Sequence, residues 1–103
     1  MLRDVRIYFT AGETALIRKI AGGEALERLV DLSLNGIAIM SANEYKKNEI
    51  VKIELELSGQ HLALKGAVKR WQEEKKYIEF IYLNDDNREA LEWLLNRFGE
   101  LPK

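Results

Sequence analysis

Apolar and polar residues alternate along most of this chain, which is the pattern of β-strands that bury one face. The clearest example runs from Val51 to Leu57, where every second residue is apolar and Lys52, Glu54 and Glu56 lie between them. This alternation indicates a half-buried antiparallel strand. Shorter patterns of the same kind predict further strands over residues 5–9, 15–20, 26–33, 37–40, 62–71 and 77–82.

Turn sequences separate these predicted strands. Gly22-Gly23 and Ser58-Gly59-Gln60 are typical tight turns, residues 41–48 form a polar loop, and residues 72–76 form a charged turn. A helix is the alternative over residues 25–30, because the apolar residues there also fit helical spacing. That pattern covers less than two turns directly after a glycine pair, so a strand is the preferred interpretation.

The apolar period changes to that of a helix near the end of the chain, over residues 91–98. Asp86 is the predicted N-cap, with Glu89 placed as in a capping box, and Gly99 is the predicted end. Six or seven short strands followed by one helix predict an all-β-dominated fold. We expect an antiparallel β-barrel of the split-barrel type with one C-terminal α-helix, as a single domain over residues 1–103.

Composition excludes several classes of protein. The 103 residues are 47% hydrophobic, which is enough for one core, and the lack of cysteine excludes disulfides and thiolate metal sites. Sixteen basic and 17 acidic residues give a net charge of −1, which disfavours binding to DNA or RNA. No apolar run approaches the ~18 residues of a membrane span, and no signal peptide is evident. These features predict a cytoplasmic protein.

The segment from Asp31 to Gly36 has the pattern D-x-S-x-x-G. On a strand, Asp31 and Ser33 project from one face, and Val30 and Leu32 then point into the core. A carboxylate accepts two parallel N–H donors, such as those of a guanine edge or a guanidinium. The alternative is that Asp31 and Ser33 only cap a turn.

The order of these features resembles the PilZ domain. The D-x-S-x-x-G motif is followed by a short strand, a hairpin, a last strand ending in aromatic residues, and a helix that begins in an Asn- and Asp-rich segment. Residues 76–91 resemble the last strand and helix of that family, and the resemblance covers essentially the whole chain. It implies a six-stranded barrel with a C-terminal helix. It also implies a bacterial signalling domain that reads the second messenger cyclic di-GMP and is not an enzyme.

The second motif of the PilZ family is R-x-x-x-R, on an arm before the first motif. Arg6 lies 25 residues before Asp31, about where the second arginine belongs, but the position of the first is Leu2. Arg3 is adjacent, so this chain has R-x-x-R, one residue short. A further departure is Tyr77, where the family commonly has glycine.

The resemblance implies a ligand site made by Arg3, Arg6, Asp31, Ser33 and Gly36. The two arginines would hold phosphate and guanine from the arm, and the carboxylate and hydroxyl would hold a guanine from the barrel. Gly36 would allow close approach. We expect a protein partner, which the sequence does not identify, and we expect no cofactor, no metal, no nucleic acid polymer and no membrane insertion.

Two other interpretations remain open. The arginine motif is incomplete, so the chain is alternatively a PilZ-like domain that binds no nucleotide and acts as a protein-interaction module in motility or pilus function. A small β-barrel enzyme or nucleic-acid binder is the third interpretation. Its support is weak, because the only histidine is His61, beside a hairpin turn.

Overall fold

A computed structural model of the protein describes residues 2–101. It contains seven strands and one helix, in an order that follows the hydrophobic pattern closely. The strands are β1 (Arg6–Tyr8), β2 (Thr14–Lys19), β3 (Glu24–Ser33), β4 (Gly36–Met40), β5 (Ile50–Leu57), β6 (Gln60–Gln72) and β7 (Lys75–Tyr82), and the helix is α1 (Asp85–Phe98).

Six of the strands close into an antiparallel barrel. Their order around the barrel is β3, β2, β5, β6, β7, β4, and β4 pairs back onto β3. The short strand β1 is the seventh and pairs with β3 outside this ring. The predicted barrel with a C-terminal helix is therefore confirmed, and residues 25–30 form a strand rather than the alternative helix.

Strand β3 is long enough to pair with three neighbouring strands. Its first half pairs with β2, and its second half pairs with β4 along one edge and with β1 along the other. The ladder with β4 shifts register between Leu29 and Asp31, so Val30 is the extra residue of a β-bulge. The bulge lets both Leu29 and Leu32 enter the core, while Val30 is only half-buried. The prediction that Val30 lies in the core is wrong for this reason.

The core fills the barrel and extends to the helix. Burying one aliphatic side chain in this core contributes roughly 1.5–3 kcal/mol to the free energy of folding. Helix α1 packs against β6 and β1 with its apolar stripe. The largest fully buried side chains are those of Ile17, Leu29, Leu32, Ile39, Val51, Ile53, Leu62, Val68, Ile78, Leu91, Leu94 and Leu95.

The helix begins two residues earlier than predicted. Asn84, not Asp86, is the N-cap, and its Oδ1 accepts a hydrogen bond of 2.8 Å from the backbone N–H of Asn87. Asp86 instead lies in the first turn, where an acidic side chain complements the helix dipole. The predicted end at Gly99 is confirmed.

The side chain of Asn87 also anchors the helix to the barrel. Strand β7 leaves β6 beyond Lys65, and the amide of Asn87 pairs instead with the backbone of Ala63. Its Nδ2 donates to the carbonyl at 2.8 Å, and its Oδ1 accepts from the N–H at 3.1 Å. The Asn87 side chain thus provides hydrogen-bond partners for the backbone N–H and carbonyl of Ala63, on the edge of β6 that β7 leaves unpaired.

The charged turn after β6 is tighter than predicted. Strand β6 continues to Gln72 and β7 begins at Lys75, so only Glu73 and Glu74 connect them. Lys76, predicted to lie in this turn, is instead a buried strand residue whose Nζ donates to the carbonyl of Ser41 at 2.6 Å. The tighter turn fixes the register of β6 against β7.

Candidate functional site

The D-x-S-x-x-G motif lies on the outer wall of the barrel. Leu32 faces the interior, so its neighbours Asp31 and Ser33 face outward, as predicted. Both line a shallow surface cavity of about 230 Å³. Both residues are nevertheless buried, with 7% of Asp31 and 5% of Ser33 exposed.

Arg6 covers the carboxylate of the motif. The register of β1 places Arg6 directly opposite Ser33, and therefore diagonal to Asp31. Its Nη1 donates to Asp31 Oδ1 at 3.3 Å. The Arg6 side chain is 45% exposed, whereas that of Asp31 is only 10% exposed. The pair lies in the surface cavity, so the Arg6 side chain remains in contact with solvent while it binds Asp31.

Ser33 and Gly36 also have structural roles. Ser33 Oγ donates to the carbonyl of Gly36 at 3.3 Å, which is the turn-capping role given above as the alternative. A Cβ at position 36 would collide with the backbone carbonyl of Ile78, because β4 and β7 approach closely there. Strand packing therefore requires glycine at this position, whatever binds beside it.

Four residues on four neighbouring strands form one row across the floor of the cavity. Asp31 lies opposite Ala38, Ala38 opposite Tyr77, and Tyr77 opposite Arg70. The parallel row inside the barrel is apolar, so this row faces outward. A carboxylate and a guanidinium thus mark the two ends of the floor, with the small Ala38 side chain and the Tyr77 ring between them.

Arg70 and Tyr77 are site residues that the motif did not reveal. The Arg70 guanidinium lies over the Tyr77 ring, 4.5 Å from its centroid. Lys69 lines the same cavity and donates to Asn48 Oδ1 at 3.3 Å. Sequence showed Tyr77 only as a departure from the family's glycine. The bulge between Val68 and Arg70 hid the register that brings Arg70 here.

Arg3 lies apart from this group. It is exposed in the turn before β1 and does not line the cavity. Of the five residues predicted to bind a ligand, the structure brings together Arg6, Asp31, Ser33 and Gly36.

The charges around the cavity suit a ligand with both anionic groups and N–H donors. Arg6, Lys69 and Arg70 supply positive charge, and Asp31 and Glu79 supply acceptors. Arginine forks bind phosphates and base edges, and carboxylates accept N–H donors. Within the described part of the chain, no group of acidic or histidine side chains is arranged to hold a metal ion.

A larger cavity lies away from the motif. It has a volume of about 670 Å³ and is bordered by the loop after β4, with Trp71, Tyr45 and Lys76 in its lining. None of the five predicted ligand residues lines it. In residues 2–101, no helix is long and apolar enough to cross a membrane.

The family model of the PilZ domain matches residues 5–97 of this chain. No curated protein matches this chain. Among solved structures, the c-di-GMP-bound PilZ domain of YcgR from Escherichia coli aligns with a TM-score of 0.74 and 13% identity. That alignment covers 95% of this chain and 92% of the YcgR chain.

Two other structures are also similar in fold. The PilZ domain of CeSA from a cellulose-synthesizing bacterium aligns with a TM-score of 0.68 and 18% identity, over 89% of this chain and 95% of that one. The inhibitor of motility MotI of Bacillus subtilis aligns with a TM-score of 0.75 and 18% identity. This chain covers 48% of MotI, and 90% of this chain is aligned.

Proposed function

Because this chain belongs to the PilZ domain family, we propose that it is a cyclic di-GMP-binding adaptor domain of bacterial signalling. The observation that carries the proposal is the arrangement of Arg6, Asp31, Ser33 and Gly36 around one surface cavity. An arm arginine and a barrel carboxylate meet there, and these two groups can bind the phosphates and the base of a guanine nucleotide.

The Arg6–Asp31 ion pair has to break when the ligand binds. A guanine offers N–H donors on the edge that a carboxylate recognises, and acceptors at O6 and N7 for an arginine fork. For Asp31 to accept the base, the Arg6 guanidinium turns from the carboxylate to the phosphate or to the face of the base. Binding thus exchanges one ion pair for contacts of both partners with the ligand.

A second candidate function is protein interaction without a nucleotide. It is favoured by Arg3, which is exposed and lies outside the cavity, so the arm brings only one arginine to it. In this function the arm and barrel form a fixed surface for a partner protein.

Calorimetric titration with cyclic di-GMP at physiological salt separates the two functions. We expect Asp31→Ala and Arg6→Ala each to weaken binding by about 2–5 kcal/mol, because each removes one partner of a charge-assisted contact. That is about thirtyfold or more in Kd. Lys52→Ala is the control, since Lys52 lies on the outer face of β5 away from the cavity. A folded wild type that gives no heat at high ligand concentration favours the protein-interaction function.

A further inference from the structure

The second arginine of the site comes from the barrel wall and not from the arm. On the basis of the proposed function, we propose that Arg70, stacked on Tyr77, binds the second guanine of the same cyclic di-GMP molecule. Asp31 and Arg6 hold the first guanine at the opposite end of the cavity floor. Arg70 thereby replaces the arginine that the arm lacks at position 2.

The register of the barrel places the two base sites at a useful separation. Asp31 and Arg70 are three strand spacings apart in the same outward row. Neighbouring strands are about 4.8 Å apart, so the row spans about 14 Å. A ligand with two bases can therefore place one base against each residue.

Small residues keep the floor low on the Asp31 side, and Tyr77 completes the row beside Arg70. Ala38 lies within the row, and Gly36 and Ala67 flank Glu79 in the next row. Ala38 and Ala67 are buried even though they face outward. A flat ligand can therefore lie along the wall, with its phosphates in reach of the cationic side chains.

Arg70 lines the cavity, and its guanidinium is able to bind a base. The Arg70 guanidinium lies over the Tyr77 ring, and a cation–π contact of this kind does not use up the N–H donors of the guanidinium. Arg70 takes part in none of the ion pairs found among the described residues. A guanidinium fork matches the O6 and N7 acceptors of guanine, which a lysine ammonium does not.

A contact on the barrel wall differs physically from a contact on the arm. Arg70 lies in the part of β6 that pairs with β7, opposite Tyr77, so its backbone is already ordered before binding. An arm residue has to be fixed at an entropic cost when the ligand arrives. The second guanine is thus recognised without any ordering of residues before β1.

Titrations of four variants with cyclic di-GMP test this assignment. We expect Arg70→Ala to raise Kd at least tenfold and Arg70→Lys to recover little of that loss. Tyr77→Phe, which keeps the ring, should stay within about threefold of wild type. Arg97→Ala is the matched control, because Arg97 also lies over an aromatic ring, that of Trp93 at 5.4 Å, but on α1. Its Kd should be unchanged.

Base discrimination gives a measurement that a purely structural role of Arg70 would not alter. Adenine presents an amino donor where guanine presents the O6 acceptor. Wild type should bind cyclic di-GMP more tightly than cyclic di-AMP. Arg70→Ala should reduce the ratio of the two Kd values by about the same factor by which it raises the Kd for cyclic di-GMP. A ratio that stays constant while both affinities fall would overturn the assignment of Arg70 to a base edge.

The outcomes also separate this inference from the proposed function. If wild type binds and Arg70→Ala binds equally well, while Arg3→Ala loses affinity, the second arginine belongs to the arm and the inference is wrong. The proposed function then stands. If folded wild type binds no cyclic di-GMP, both are wrong. Thermal melting of each variant distinguishes lost contacts from a lost fold.

Discussion

The hydroxyl of Tyr45 donates a 2.6 Å hydrogen bond to Oε2 of Glu27, a carboxylate buried in the first half of β3. The same oxygen accepts from the hydroxyl of Ser41 and from Asn43 Nδ2. Three donors from one loop therefore converge on one carboxylate. Burial first, and the neighbouring Glu27 second, raise the pKa of Tyr45 well above its usual 10.0. This cluster fixes the loop that joins β4 to β5.

We expect Tyr45→Phe to lower the free energy of unfolding by about 1–3 kcal/mol, because it removes a donor from a buried carboxylate. Urea denaturation at neutral pH measures the change. Tyr82→Phe is the matched control, since Tyr82 is 67% exposed. Equal effects of the two substitutions would contradict a special role for the Glu27 cluster.

The raised pKa of Tyr45 also predicts a dependence on pH. Its pKa is higher in the folded chain than in the unfolded one, so the protonated phenol favours folding. This contribution is complete below pH 10.0 and is lost progressively as the pH rises above it. The stability difference between wild type and Tyr45→Phe should therefore shrink in alkali. Urea titrations of both proteins on each side of that pH measure it, and a constant difference would refute the prediction.

Gly36→Ala is expected to destabilise the fold by about 1–3 kcal/mol, because the new Cβ meets the backbone carbonyl of Ile78. Gly66→Ala should behave similarly, since its Cβ would press on Ile78 and Glu79 from the other side. Thermal melting checks both variants, with Asn35→Ala, an exposed neighbour, as the control. Wild-type melting of Gly36→Ala would show that β4 and β7 separate easily there.

The cap of α1 gives a prediction that distinguishes two nearby residues. Asn84→Ala should lower the free energy of unfolding by about 0.5–2 kcal/mol, because it leaves the Asn87 N–H without its acceptor. Asp86→Ala should cost less, since Asp86 contributes only through the helix dipole. Chemical denaturation of the two variants side by side decides the order, and the reverse order would place the cap at Asp86.

Like charges lie directly opposite one another on the outer wall of the barrel. Arg18 faces Lys52, and Lys52 faces Lys65. Such pairs are destabilising, so Lys65→Glu should stabilise the fold by about 0.2–1 kcal/mol. The gain should diminish at high salt. Lys47→Glu, in the exposed loop, is the control for net charge; an equal gain there would exclude a cross-strand cause.

The sequence was sufficient to predict the architecture, because alternation and helical period report directly which faces are buried. It was also sufficient to predict that Asp31 and Ser33 share an outward face. It did not reveal the bulge at Val30 or the bulge beside Arg70, since an extra residue in one strand leaves little trace in the apolar pattern. Both bulges set register, and register decides which distant side chains meet. That is why Arg70 could not be assigned to the cavity from the sequence, while Arg6 could be proposed only through the family resemblance.

Arg6 and Glu100 form two backbone hydrogen bonds. The N–H of Arg6 donates to the carbonyl of Glu100 at 2.9 Å, and the N–H of Glu100 donates to the carbonyl of Arg6 at 2.7 Å. These residues are separated by nearly the whole chain, so the contact closes one of the longest loops in the protein, and long loops close late in folding. The hairpin that carries Asp31 and Ser33 needs only neighbouring segments. Arg6 pairs with Ser33 on one side, and it gains its partner on the other side only when the residues after α1 have docked beside β1. We therefore expect the site to be assembled in two stages, with its carboxylate ready early and its arm arginine fully fixed last.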